Sequence, residues 1–422
     1  KISNNIITII TILLTAIGNA QVRGVESAQE ATDISLGDKE SVRFKQEIET
    51  TRTRTLPLID NRNFDSFIEA EDYNDVNIEV LNLDNILYHN FNKDIHKYKA
   101  IASYKIKFTE DFYSIVVTIK KGDNKMESIL INYTLDGKFL DSILIAHDEI
   151  DEYPTRTTTK ITQSTLTRSH IFLEAQEERI EESVYRIDVD GTIKELSSEE
   201  VLIDKVISQL GLDFSQVNTH LLAAKVNPSN TQETIIVIPE FVDSDNDEYH
   251  YQLNSYIVLV NNLTGSITHT YFESSKTNGW ESDAIQLSKI SIDTAPYIVA
   301  KDTRAFGVRV NYFGSSRVNP YTKKTISLFV KSGDALKKVL HNYPVMNYGG
   351  EWDTDCEGEF TEEKRILIIS EKTTNGYFDI IAKSTITYSA NYVPEDGDCE
   401  SKKEVTRKKT SLKFDGETYT QN

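Results

Sequence analysis

The side chains best able to do chemistry in this chain of 422 residues crowd toward its end. Glu351, Asp353, Asp355, Glu357, Glu359, Glu362 and Glu363 surround Cys356, and Glu395, Asp396, Asp398 and Glu400 surround Cys399. Carboxylates packed this closely raise the energy of their ionised forms unless something positive answers them. One answer is a bound cation. Asp353, Asp355, Glu357, Asp396 and Asp398 would supply the hard oxygen ligands that Ca²⁺ takes. The other answer is internal, because Lys402, Lys403, Arg407, Lys408 and Lys409 follow at once and are expected across from the acids on a paired strand. A second acidic run, Asp243-Ser244-Asp245-Asn246-Asp247-Glu248, opens like a calcium loop. It carries Glu248 and Asn254 where that loop needs glycine and glutamate, so a solvated turn is expected there.

Trp280 and Trp352 each sit beside a turn glycine and acidic residues, as a platform for a sugar ring would, and as an anchoring core residue also would. The eight histidines are scattered, with no His-x-x-x-His pair, so their spacing builds no zinc site. There is no Gly-x-Ser-x-Gly elbow and no phosphate-cradling glycine loop. His147-Asp148-Glu149 reads as part of a solvated loop. Carboxylates placed for glycoside hydrolysis are a property of the fold rather than of spacing, which keeps a carboxylate-based hydrolase acting on glycans as the enzymatic alternative.

The elements that must position these residues are strands. From Ala100 onward apolar residues recur with a period of two, and Ser114 to Ile119, Ser128 to Tyr133, Thr234 to Ile238, Asn254 to Val260 and Ile326 to Val330 are rich in β-branched residues. Turn glycines at 137, 191, 265, 333 and 416 follow strand-like runs but lie 54, 74, 68 and 83 residues apart, too irregular for a strict repeat. The fold class expected is all-β, predominantly antiparallel meanders, with a degenerate β-propeller as the alternative. Lys276-Thr277-Asn278-Gly279-Trp280 and Thr373-Thr374-Asn375-Gly376-Tyr377 read as two versions of one hairpin turn. One connecting helix is expected over 198–211, capped by Ser198 and ended by Gly211. It separates an N-terminal meander domain at 56–197 from a C-terminal β domain at 212–422.

The first twenty residues combine Lys1, an apolar run from Ile6 to Ile17 and the small residues Gly18 and Ala20, the pattern of a signal peptide over 1–20. A polar stretch over 21–55 is expected to be a flexible leader. An exported chain with two cysteines is expected to join Cys356 to Cys399. A formal charge of −20 disfavours nucleic acid as a partner, and no stretch reaches the length of apolar sequence that spans a bilayer.

Two regions resemble uncharacterised secreted or periplasmic bacterial proteins. One runs from Leu328-Phe329-Val330 through Gly350-Glu351-Trp352-Asp353 and Cys356 to Phe414-Asp415-Gly416; the other is Leu56-Pro57-Leu58-Ile59-Asp60 with Asn63-Phe64-Asp65. The resemblance implies an envelope or extracellular setting and carries no activity with it. The expected function is a secreted or envelope-associated binding protein with a protein or glycan ligand, steadied by a divalent cation. A purely structural envelope component is the third reading.

Overall fold

Period-two patterning gives strands throughout. The computed structural model describes residues 39–65, 74–88, 91, 98–150, 154–174, 177–242, 250–395 and 397–421. The segment 1–20 and the acidic run 243–248 lie outside them. Two compact units divide at Leu196 and Ser197.

The first unit holds β1 (Thr53–Arg54), β2 (Leu58–Asp60), β3 (Tyr98–Ile106), β4 (Phe112–Lys121), β5 (Lys125–Thr134), β6 (Phe139–Glu149), β7 (Thr155–Ile161), β8 (Thr165–Glu174), β9 (Glu177–Ile187) and β10 (Ile193–Glu195). From β3 to β10 each strand pairs antiparallel with the next, while β1 adds parallel to β3 and β2 antiparallel to β7. The continuous apolar runs of β4 and β5 have the consequence expected of them: both faces are buried. Ile115, Val117, Ile119, Ile129 and Ile131 face one core, and Val116 and Leu130 face another with Ile145, Ile161 and Leu166.

The first of these cores is closed by a segment expected to be flexible. Residues 39–50, inside the 21–55 stretch, form a helix, α1, and the rest of that stretch through residue 38 lies outside the described residues. Composition averaged over the stretch hides Phe44 and Ile48, which sit one helical turn apart and are 2% and 3% exposed. The Phe44 ring lies 5.2 Å from Tyr133 and 6.0 Å from Tyr113. A Cβ at Gly137 would come within 2.8 Å of Phe44 Cγ, so the β5–β6 turn needs glycine for this contact as well as for its φ of 91°.

The second unit holds helix α2 (Ser198–Leu210) and strands β11 (Ala223–Val226), β12 (Glu233–Phe241), β13 (Tyr251–Asn261), β14 (Ile267–Glu273), β15 (Glu281–Ser282), β16 (Ile285–Ala300), β17 (Thr303–Gly314), β18 (Tyr321–Ser332), β19 (Ala335–Trp352), β20 (Gly358–Thr374), β21 (Tyr377–Tyr392), β22 (Glu400–Phe414) and β23 (Tyr419–Gln421). They form one branched sheet of antiparallel meanders, joined between β14 and β19 by a single parallel bridge, Thr270 to Ala335. Each unit therefore carries a continuous sheet, and separate propeller blades are not found among the described residues.

Alternation along the strands sorts this unit into layers. Ile236, Ile238, Val258 and Val260 face α2, whose Val206 and Ile207 are buried on them; Ile235, Val237, Ile257 and Leu259 face β16 and β17. On the far side Ile326, Leu328 and Val330 of β18 meet Ile380 of β21 and Leu412 and Phe414 of β22. Burying such aliphatic side chains stabilises by about 1.5–3 kcal/mol each. The helix is thus a layer of the second unit rather than a free connector. Its cap is Ser197, one residue before the expected Ser198, because Glu200 then stands at the position that returns a hydrogen bond to the capping residue. The two Asn-Gly segments also differ: Asn375-Gly376 turns the β20–β21 hairpin, whereas 275–278 is a helical turn ended by Gly279, with Asn278 buried.

Candidate functional site

The acidic C-terminal cluster sits at the tip of the β19–β20 hairpin. Cys356 and Cys399 are joined with Cα atoms 5.7 Å apart, tying that tip to the start of β22. Asp353 is exposed, yet its carboxylate folds back on the hairpin's own backbone. Its Oδ1 accepts from the backbone N–H of Asp355 at 2.8 Å and of Cys356 at 2.9 Å, and these hydrogen bonds hold its carboxyl below the usual range. Asp355, Glu357 and Asp398 are exposed, and Asp396 lies outside the described residues. Among the described residues no group of three acidic, histidine or cysteine side chains is placed to hold a metal ion, and Asp353, Asp355, Glu357 and Asp398 form no such group.

The basic run does not pair with the acids either. Glu359 pairs with Ala390, and Ala390 with Lys402, so β21 stands between the acidic strand and the basic one. Two strand spacings, about 10 Å, separate them. The cations instead spread over an exposed surface. Lys364 on β20, Lys383 on β21, and Lys403, Arg407 and Lys409 on β22 share the outward face of the last layer with Ile366 at 67%, Ile368 at 38% and Val405 at 56% exposure. Sequence reading missed this face. The signal was present in the alternation, since Ala382 and Ser384 are buried while Lys383 and Thr385 between and beside them are exposed.

The two tryptophans part company. Trp280 is 4% exposed in the core with Leu253 and Leu287, which rules out stacking a ligand on it. Trp352 is half-buried on the hairpin, its Nε1 donating to the Arg317 carbonyl and its ring 6.4 Å from Phe360. Near the Trp280 turn, a shallow cleft of about 250 Å³ is lined by Glu281, Asp283, Tyr312, Tyr321 and Lys323. A second, of about 310 Å³, contains Glu233, Arg304 and Lys331; Lys331 Nζ bonds both Glu233 oxygens at 2.7 and 2.9 Å.

His147, Asp148 and Glu149 lie in β6 rather than in a solvated loop, because the apolar alternation of β6 continues through Ala146 and places the next residues against β7. Asp148 accepts from the Phe64 N–H at 2.8 Å and from Arg156 Nε at 3.2 Å. His147 is 6% exposed, its Nε2 lies 3.4 Å from Glu149 without a hydrogen bond, and burial followed by the Lys125 charge lowers its pKa. Elsewhere Glu127 joins Lys121 at 2.7 Å and Tyr88 at 2.6 Å, and these partners overcome burial to lower its pKa. Asp293 joins Arg309 and Tyr297, whose hydroxyl burial and the Asp293 charge push up to about 12. The Glu127–Lys121 and Asp293–Arg309 pairs each close across two neighbouring strands.

No family model matches the chain, and no curated protein matches it. Among solved structures, the WD40 domain of SCAP from fission yeast matches at 6% identity over 72% of this chain and 66% of that one. The TM-score is 0.15, too low to carry any argument about fold or function.

Proposed function

We propose that this chain is a non-enzymatic binding protein working outside the cytoplasm, and that it docks an acidic protein partner on the outward face of β20, β21 and β22. The observation that carries this reading is the combination of Lys364, Lys383, Lys403, Arg407 and Lys409 with solvent-facing Ile366, Ile368 and Val405, in a chain whose formal charge is −20. Exposed apolar side chains among mostly positive charges, with Glu362 held by Lys364 at 2.7 Å on the same face, favour partner contact over plain solvation. These apolar groups are branched aliphatics, which offer no ring for a sugar to stack on. The Cys356–Cys399 disulfide supports an oxidising compartment.

The test is titration of the intact protein with a peptide alternating glutamate and leucine, followed by fluorescence polarisation at two salt concentrations. Binding should weaken with salt, and Lys364→Glu with Lys383→Glu should weaken it about tenfold or more. Absence of binding, or binding indifferent to those reversals, overturns the reading.

A glycan hydrolase remains the rival because Glu281 and Asp283 line one cleft with Tyr312 and Tyr321. Turnover of any glycan that is lost in Glu281→Gln or Asp283→Asn would establish it instead.

A further inference from the structure

Among the described residues, two of the open strand edges carry opposite charge. β9 pairs with β8 on one side, while on the other β10 covers only Tyr185 to Ile187. β22 pairs with β21 on one side, while on the other β23 covers only Leu412 to Phe414. Among the described residues the outer backbone of 178–183 and of 402–410 has no strand partner. Open backbone of this length is a template for another strand.

We propose that the β9 edge of one copy adds antiparallel to the β22 edge of a second copy, with Glu178 opposite Arg407, Ile180 opposite Val405 and Glu182 opposite Lys403. Backbone direction permits this register. The Val184 carbonyl accepts from Leu196 on the outer side of β9, so alternation turns the backbone groups of 178, 180 and 182 outward. Asp415 donates to Thr418 across the β22–β23 turn, so the same alternation turns those of 403, 405 and 407 outward. Neither strand contains a bulge over these residues. The register thus aligns outward groups with outward groups and sets two opposite-charge pairs around Ile180 and Val405, which are 53% and 56% exposed. On the opposite face Glu181 would meet Glu404, each already paired within its own strand, to Arg179 and Lys402.

Charge also selects the partner. Two β9 edges would bring glutamates together, and two β22 edges would bring lysines and arginines together, so each edge is protected from its own kind and not from the other. Because the contact joins different surfaces, it is heterologous and continues from copy to copy into rings or filaments. The edge shares Lys403, Val405 and Arg407 with the docking face, but self-association is read apart from peptide binding, and Lys364 and Lys383 belong to the face alone, so either can fail while the other stands.

The test is sedimentation velocity of the intact protein across a wide concentration range at low and high salt. Association should grow with concentration and fall with salt. Lys403→Glu/Arg407→Glu and, separately, Glu178→Lys/Glu182→Lys should each weaken self-association at least tenfold, with circular dichroism showing both variants folded. Mixing the two variants should restore assembly, since each then meets an edge of opposite charge. A protein that stays monomeric at every concentration, self-association unchanged in either variant, or a mixture that does not reassemble would each overturn the proposal.

Discussion

Lys338 Nζ lies 2.7 Å from Glu273 Oε2, with the two side chains only 4% and 14% exposed. The pair joins β19 to β14 near the bridge between Thr270 and Ala335, the one backbone pairing that connects these branches of the second unit. Burial, followed by the Glu273 charge, raises the Tyr271 hydroxyl above its ordinary pKa, and a hydrogen bond to Glu273 adds to this.

Removing one partner should therefore be much worse than removing both. Glu273→Gln leaves Lys338 charged, buried and unpaired, and should cost the second unit about 3–5 kcal/mol. Lys338→Met combined with Glu273→Leu keeps the volume without the charges and should unfold close to the wild type. Urea titrations of the three proteins decide it: equal losses in the single and double variants would contradict the account.

Phe44 anchors α1 to the first unit through Tyr113 and Tyr133, with Ile48 buried one turn on. Phe44→Ala should lower the stability of that unit by about 3–5 kcal/mol, the usual cost of emptying a buried phenylalanine site. Hydrogen exchange should show faster opening across β4 and β5 while the second unit keeps its protection.

How far the sequence was readable follows from which physics acts locally. Strand alternation and the Asn375-Gly376 hairpin depend on neighbours in the chain, and both are visible before any fold is known. The Cys356–Cys399 bridge was readable for another reason: only two cysteines exist to pair. Phe44 and Ile48 were hidden because two apolar residues in a polar stretch gain their weight only from a distant core. Asn278-Gly279 misled because a dipeptide compatible with a hairpin also ends a helical turn, and tertiary contacts of Asn278 chose the latter. The acidic cluster misled in the same way, since carboxylate spacing says nothing of whether an oxygen already holds the chain's own amides, as Asp353 Oδ1 does.

His147 gives a pH dependence with a defined sign. Burial and Lys125 lower its pKa in the folded protein below the 6.5 of an unperturbed imidazole, while Glu127 and Glu149 pull the other way and His170 adds to the lowering. In the unfolded chain the ring takes up its proton near pH 6.5, whereas the folded protein resists until lower pH. The unfolded state then binds more protons, so this contribution is complete above about pH 6.5 and is lost as pH falls. Melting temperatures measured from pH 7.5 down to 5 should fall less steeply in His147→Gln than in the wild type. An identical slope would mean that the ring charges freely in the folded state.

Asp353 separates a turn-forming role from a metal-binding one. Its Oδ1 accepts two backbone hydrogen bonds that shape the turn. Asp353→Ala should lower the stability of the second unit through the two lost bonds. That loss should be the same in calcium and in chelator, and the wild type should melt at one temperature in both. A ligand of the native state must stabilise it by mass action, so a calcium-dependent rise in the wild type that disappears in Asp353→Ala would restore the cation to this hairpin.

Reduction of Cys356–Cys399 should act on the second unit alone, because every residue of the loop it closes lies there. The cysteines stand 43 residues apart, and freeing a loop of that size in the unfolded chain costs about 4 kcal/mol in the chain-entropy model. β20, β21 and β22 are already held in register by their own ladders, so the folded hairpin should survive the change and the loss should appear in unfolding rather than in structure. Cys356→Ser with Cys399→Ser should therefore keep the wild-type circular dichroism while its second-unit transition moves to lower denaturant. A spectrum that loses strand signal would show instead that the bridge is needed to build the β19–β20 tip.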